Sequence, residues 1–157
     1  MSGRVHTPAR SKARKRALDI LFEADLREAD EAEILAGHVA RAEPPVRQFT
    51  IELVEGVARE RVPIDNLIRR CLPPDWELER MPRVDRNLAR IAIYEIWWTD
   101  TPPEVAVDEA VTLSAELSTD DSPAFVNGLL GRVLEFHRSE RTAADQALDE
   151  RSGEGDE

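Results

Sequence analysis

Apolar positions recur at helical spacing along nearly the whole chain. Ala13, Ala17, Leu18, Leu21, Phe22 and Leu26 define a first helix, with Lys12, Lys15, Asp19 and Glu23 on its other faces. Ile34, Leu35 and Val39 predict a short second helix that ends before Pro44-Pro45. Val46, Phe49, Thr50, Leu53, Val54 and Val57 form one stripe of a third. Pro63 and Asp65 open a fourth, carrying Ile64, Leu67, Ile68 and Leu72, and Pro73-Pro74 breaks it. After a short turn with Trp76 and Met81, the stretch Val84, Leu88, Ile91, Ala92, Ile93, Tyr94, Ile96, Trp97 and Trp98 is apolar on almost every face. Such a helix is normally central, packed on more than one side. Thr101-Pro102-Pro103-Glu104 reads as a capping box for a sixth helix. Ser122-Pro123 reads as the start of a seventh, with proline where its missing N–H does no harm. The prediction is all-α, about seven helices, with no strand.

The same pattern divides the chain. Residues 1–9 read as a disordered basic leader, and 10–138 as the helical domain, in blocks of about 10–72 and 73–138. Residues 139–157 lack an apolar period and read as a disordered acidic tail.

Charge changes the picture next. The net charge is −11, which taken alone disfavours nucleic acid. The distribution is lopsided, however. Arg4, Arg10, Lys12, Arg14, Lys15 and Arg16 precede the first acidic residue, and from 143 to 157 six acids face one arginine. A basic arm on an acidic body is compatible with local phosphate binding.

Several classes of function are disfavoured. One cysteine, Cys71, forms no internal disulfide, and its apolar neighbours make it a small core residue. No apolar run approaches the ~20 residues that span a bilayer. Asp19, Glu23 and Asp25 interrupt the segment after the basic start, so it does not read as a signal peptide, and the chain is expected in the cytoplasm. His6, His38 and His137 have no partner at metal-ligand spacing, and there is no glycine-rich phosphate loop. Asp108-Glu109 and Asp120-Asp121 lie near helix starts, where carboxylates complement the dipole. The expectation is a binding protein, not an enzyme, with no cofactor and no metal.

Three features can bind something, and each has two readings. The run Arg10-Ser11-Lys12-Ala13-Arg14-Lys15-Arg16 sits where the helix dipole disfavours cations. It is either a solvated leader or a phosphate-binding edge. Arg83, Arg86 and Arg90 are either a polar stripe paired with carboxylates or part of a site. In Phe125-Val126-Asn127-Gly128, the aromatic ring could stack on an unpaired base and the asparagine read its edge. The alternative is that Phe125 is core and Gly128 admits a neighbouring helix.

Taken in order, these segments resemble the NusB family of transcription antitermination factors over about residues 10–138. The resemblance rests on the basic start running into Ala17-Leu18-Asp19-Ile20-Leu21-Phe22-Glu23-Ala24-Asp25, and on Leu53-Val54-Glu55-Gly56-Val57. It continues through Asp85-Arg86-Asn87-Leu88-Ala89-Arg90-Ile91-Ala92-Ile93-Tyr94-Glu95 and Pro103-Glu104-Val105-Ala106-Val107-Asp108-Glu109-Ala110-Val111. Phe125-Val126-Asn127-Gly128-Leu129-Leu130 completes it. It implies two small helical subdomains, three helices and then four. It also implies binding of single-stranded boxA RNA from ribosomal RNA leader transcripts, jointly with the ribosomal protein NusE, on an RNA polymerase elongation complex with other Nus factors. The positions that match for RNA are Arg10, Lys12, Arg14, Lys15, Arg90 and Phe125, to which the reading above adds Asn127. For the protein partner they are Glu79 and Asp85. Ala124 stands where members often carry lysine or arginine, and the acidic tail is not a general family feature.

Two other classes compete. One is a helical protein–protein module, for instance a homodimer that hides the basic edge. The other is the N-terminal part of an RNA methyltransferase, which the absence of a cofactor-binding α/β domain from this sequence disfavours.

Overall fold

The computed structural model describes residues 7–41 and 45–154. They form α1 (Pro8–Arg27), α2 (Glu31–Arg41), α3 (Gln48–Arg59), α4 (Arg61–Cys71), α5 (Arg83–Trp98), α6 (Pro103–Leu117) and α7 (Ser122–Glu154), with a 3-10 turn at Leu78–Arg80. No strand occurs among the described residues. The seven-helix, all-α expectation therefore holds.

Local signals explain the boundaries. Thr7 caps α1, its side chain accepting from the Arg10 amide at 3.1 Å, and Pro8 occupies the first turn. Helix α1 thus takes in residues 8 and 9, which were assigned to the leader; residues 1–6 lie outside the described residues. Glu28 ends the helix in the left-handed region at φ 52°. The Thr101 capping box does not form. Pro102 precedes α6, and the Thr101 hydroxyl instead donates to the Glu95 carboxylate at 3.1 Å. A buried carboxylate is a stronger claim on that hydroxyl than a helix amide that water can serve.

The tail needs a larger correction: helix α7 runs on through residues 139–154. This stretch lacks an apolar face because it packs on little, yet Ala, Glu, Arg, Gln and Leu are strong helix formers and extend a helix already nucleated.

Helix α5 is the axis of the fold. Every residue from Asp85 to Ile96 is buried: the apolar ones as the pattern predicts, and Asp85, Arg86, Asn87, Arg90 and Glu95 with them. Helices α1, α3, α4, α6 and α7 all pack on it. Helices α1, α2 and α3 pack on one another, while α4 packs on α5 and α7. The grouping of three and four therefore places α4 with the second group, although Pro73-Pro74 is the louder break in the sequence. Between the groups, Gly56 of α3 meets the Tyr94 ring so closely that an added Cβ would lie well inside contact distance. Gly128 behaves differently from its expected role as a helix contact. A Cβ there would meet nothing within 4 Å.

Candidate nucleic-acid interface

The basic run of α1 divides by helical phase. Arg10, Lys12 and Lys15 reach the surface, whereas Arg14 is 1% exposed. Its guanidinium forms a bidentate pair with Glu95 of α5 at 2.7 and 2.9 Å, with Glu109 of α6 at 3.6 Å. Arg14 thus joins α1, α5 and α6, and has no surface to offer a phosphate.

Arg90 has the same fate. It is 5% exposed and bidentate to Asp65 of α4 at 2.9 and 3.0 Å. Arg86 beside it pairs with Asp25 at the end of α1 at 2.5 Å, and Asn87 donates to the same carboxylate. Burial alone would raise the Asp25 carboxyl, but the hydrogen bonds and charge of Arg86, with Asn87 and Arg90, outweigh it and leave the group below its ordinary value. The polar stripe on α5 is therefore a set of cross-links, matching the carboxylate-paired reading for Arg86 and Arg90. Asp85 is 1% exposed and accepts from the Ser122 hydroxyl at 2.8 Å, pinning α7 to α5. It is closed to a protein partner. Glu79 is exposed and pairs with Arg69 at 3.1 Å. Its own amide and Arg69 hold its carboxyl below the usual range.

What remains at the surface of α1 gathers with the start of α3. Lys12, Lys15, Arg16, Asp19, Pro45, Arg47 and Thr50 line a concavity of about 240 Å³. The Thr50 hydroxyl donates to the Ala13 carbonyl at 2.9 Å and holds the two helices in register. Phe49 lies beneath the Arg10 guanidinium at 4.4 Å and beside Arg14 at 5.5 Å. Lys15 also pairs with Glu116 of α6 at 2.7 Å, whose hydrogen bond and charge raise its pKa. Lys12 and Lys15 are the chain's only lysines. Arg47 was missed by sequence reasoning, since nothing in the string says that the start of α3 faces α1. Phe49 was read as core alone, and its cation–π role was likewise not visible.

Phe125 and Asn127 do not share a site. Phe125 is half-buried and stacked on Trp76, while Asn127 lines a groove between α6 and α7 with Glu104 and Asp108. Two residues apart on a helix is about 200°, so they face opposite ways. Cys71 is buried, and burial raises its thiol above the ordinary value. Among the described residues no group of His, Cys, Asp or Glu is placed to hold a metal, and no helix is long and apolar enough to cross a membrane.

Fold and surface together define a helical protein of the kind that presents a cationic edge on an acidic body. The model of the NusB family matches residues 11–135, and the chain belongs to that family. The transcription antitermination protein NusB of Acidothermus cellulolyticus is 57% identical over 127 residues, covering 80% of this chain and 87% of the relative. Among solved structures, T. maritima NusB superposes with a TM-score of 0.72 at 33% identity, covering 82% of this chain and 92% of that one. A complex of antitermination factors NusB and NusE with double-stranded RNA contains a chain of the same fold, with a TM-score of 0.71 at 24% identity. That match covers 80% of this chain and 96% of that one.

Proposed function

We propose that this chain is a cytoplasmic transcription antitermination factor, without catalytic function, that binds single-stranded boxA RNA through the α1–α3 edge and acts with NusE on RNA polymerase. The observation that carries the RNA reading is the cationic concavity of Lys12, Lys15, Arg16 and Arg47 beside Arg10. Five cations converge there from two helix starts, and helix stability gives no reason for those on α1. A phosphate backbone lying across them would add counter-charge beyond that of Asp19 in the lining and Glu116 on Lys15. The acidic remainder repels nucleic acid elsewhere and suits a basic ribosomal protein such as NusE. Of the two partner residues considered, Glu79 retains a surface role.

The RNA contacts are thus assigned to Arg10, Lys12, Lys15, Arg16 and Arg47. Arg14 and Arg90 position the helices that carry them. A salt titration of binding to a short boxA-type RNA tests this. With four or five phosphates engaged, the log–log slope is expected near −3, at about −0.7 per phosphate on a single strand. Lys12→Ala/Lys15→Ala should flatten it by about 1.4. An unchanged slope and affinity would rule the edge out, in favour of a helical protein–protein module.

A further inference from the structure

The Trp76 ring lies on Phe125 with centroids 4.8 Å apart and planes 20° from parallel. Trp76 is 52% exposed, whereas Phe125 is packed against the core. With Phe125 covering one face of the indole, an exposure that large puts the other face in solvent. The turn that carries the ring is closed by the Trp76 amide, which donates to the Pro73 carbonyl at 3.0 Å. An apolar ring in so exposed a position gains little from the fold.

The surroundings suit a nucleotide. On the same side of α7, one turn beyond Phe125, Gly128 leaves open surface, with nothing within 4 Å of where a Cβ would stand. Arg132 follows, exposed, with its Nε anchored on the Cys71 carbonyl at 2.5 Å. Arg70 of α4 lies over the Phe136 ring at 4.6 Å, one further turn along. Carboxylates lie alongside too: Asp75, Glu77 and Glu79 follow or flank Trp76 in the chain, Asp121 stands one turn before Phe125, and Glu140 lines the hollow that Arg70 and Phe136 share. Glu77 pairs with Arg80 at 3.4 Å and Glu79 with Arg69 at 3.1 Å.

We propose that Trp76 is a base-stacking residue for single-stranded RNA, with Phe125 as the ring that backs it and Arg132 and Arg70 as ligands for the flanking phosphates. The proposal rests on the RNA reading above and moves the stacking role from Phe125 to the ring that covers it. Stacking accepts any base, because every base has a π-face, so this contact adds affinity without choosing sequence.

The test uses the full chain and a single-stranded boxA-type RNA of about 12 nucleotides. Trp76→Leu keeps an apolar cover on Phe125 but removes the π-face, and should weaken binding about tenfold with the salt slope unchanged. Trp76→Phe should retain most of the affinity. An abasic nucleotide moved along the RNA should cost the wild type about as much at one position, and cost the Leu variant nothing more there. Equal affinity for wild type and Trp76→Leu, or abasic and Leu losses that simply add, would overturn the proposal. A Leu variant that loses NusE but not RNA would give this surface to the protein partner and overturn it too. If Trp76→Leu fails to fold, the wild-type indole still reports: RNA should quench fluorescence that Trp76→Phe lacks, and no such difference refutes stacking. Binding that depends on Lys12 and Lys15 but not on Trp76 sinks only this inference. Absence of any RNA binding sinks the parent reading as well.

Discussion

Arg10 and Arg14 lie one turn apart on the same helix, yet they belong to different regions with different work. Arg10 rests on Phe49 at the edge of a solvent-facing concavity, among Lys12, Lys15, Arg16 and Arg47. Arg14 is enclosed, with both carboxylate oxygens of Glu95 against it and Glu109 behind. A run of cations in a sequence is one feature, but helix phase splits it into an interface and a core. The core half is paired because an ionised group without a partner is too costly to bury. The edge half needs no such enclosed partner: water solvates it until an anion arrives, even where Lys15 meets the exposed Glu116.

The comparison breaks most visibly if Arg14 is truncated. Arg14→Ala leaves Glu95 buried and under-satisfied, and should cost about 3–5 kcal/mol in denaturant unfolding. Arg14→Met/Glu95→Leu removes both charges and should cost clearly less than Arg14→Ala. A double variant as unstable as the single would mean that packing, not the orphaned charge, dominates. Arg90→Ala should behave like Arg14→Ala, because Asp65 and Asp25 lose their shared cation.

Gly56→Ala comes next. It gains helix propensity but drives a methyl into Tyr94, so a net loss of about 1–3 kcal/mol is expected in thermal or chemical unfolding. Stabilisation would show that Tyr94 swings away freely.

Acid has a smaller effect with a defined sign. The Asp25 carboxyl is held below its unfolded value, so its contribution is complete above about pH 4 and is lost as pH falls through the lower folded value. Asp25→Asn should be less stable than wild type at neutral pH, and the difference should shrink below about pH 4. A gap that is constant with pH would contradict the assignment. Smallest of all, Lys12→Ala and Lys15→Ala should leave the thermal midpoint where it is, since both side chains stand in solvent. A large drop in either would move that lysine to the structural side of the comparison.

Much of this was legible in the sequence. Seven helices follow from apolar spacing and proline punctuation, and the central place of α5 follows from apolar residues on almost every face of it. The basic start was visible as a run, and the placement of four of its members in the RNA site came from family resemblance. The partners of Arg14 and Arg90 were not legible, because Glu95, Asp65 and Asp25 lie on other helices and 3.6-residue periodicity says nothing about which faces meet. Arg47 was hidden for the same reason. Asp85 was a partner position by family resemblance until Ser122 was placed against it. Trp76 read as part of a turn, and only the approach of α7 makes it a covered-and-open ring. The helical course of 139–154 was missed because amphipathicity was required of a segment that needs only propensity and a helix to extend.

The central claim is that RNA lies on the α1–α3 edge, and the chain offers a direct readout, since its two lysines are both there. Lysine-selective acetylation read by mass spectrometry, in the free protein and at saturating boxA-type RNA, reports on that edge alone among side-chain amines. Lys12 and Lys15 should both lose most of their reactivity when RNA binds. Bound RNA with both lysines as reactive as in the free protein would contradict the account.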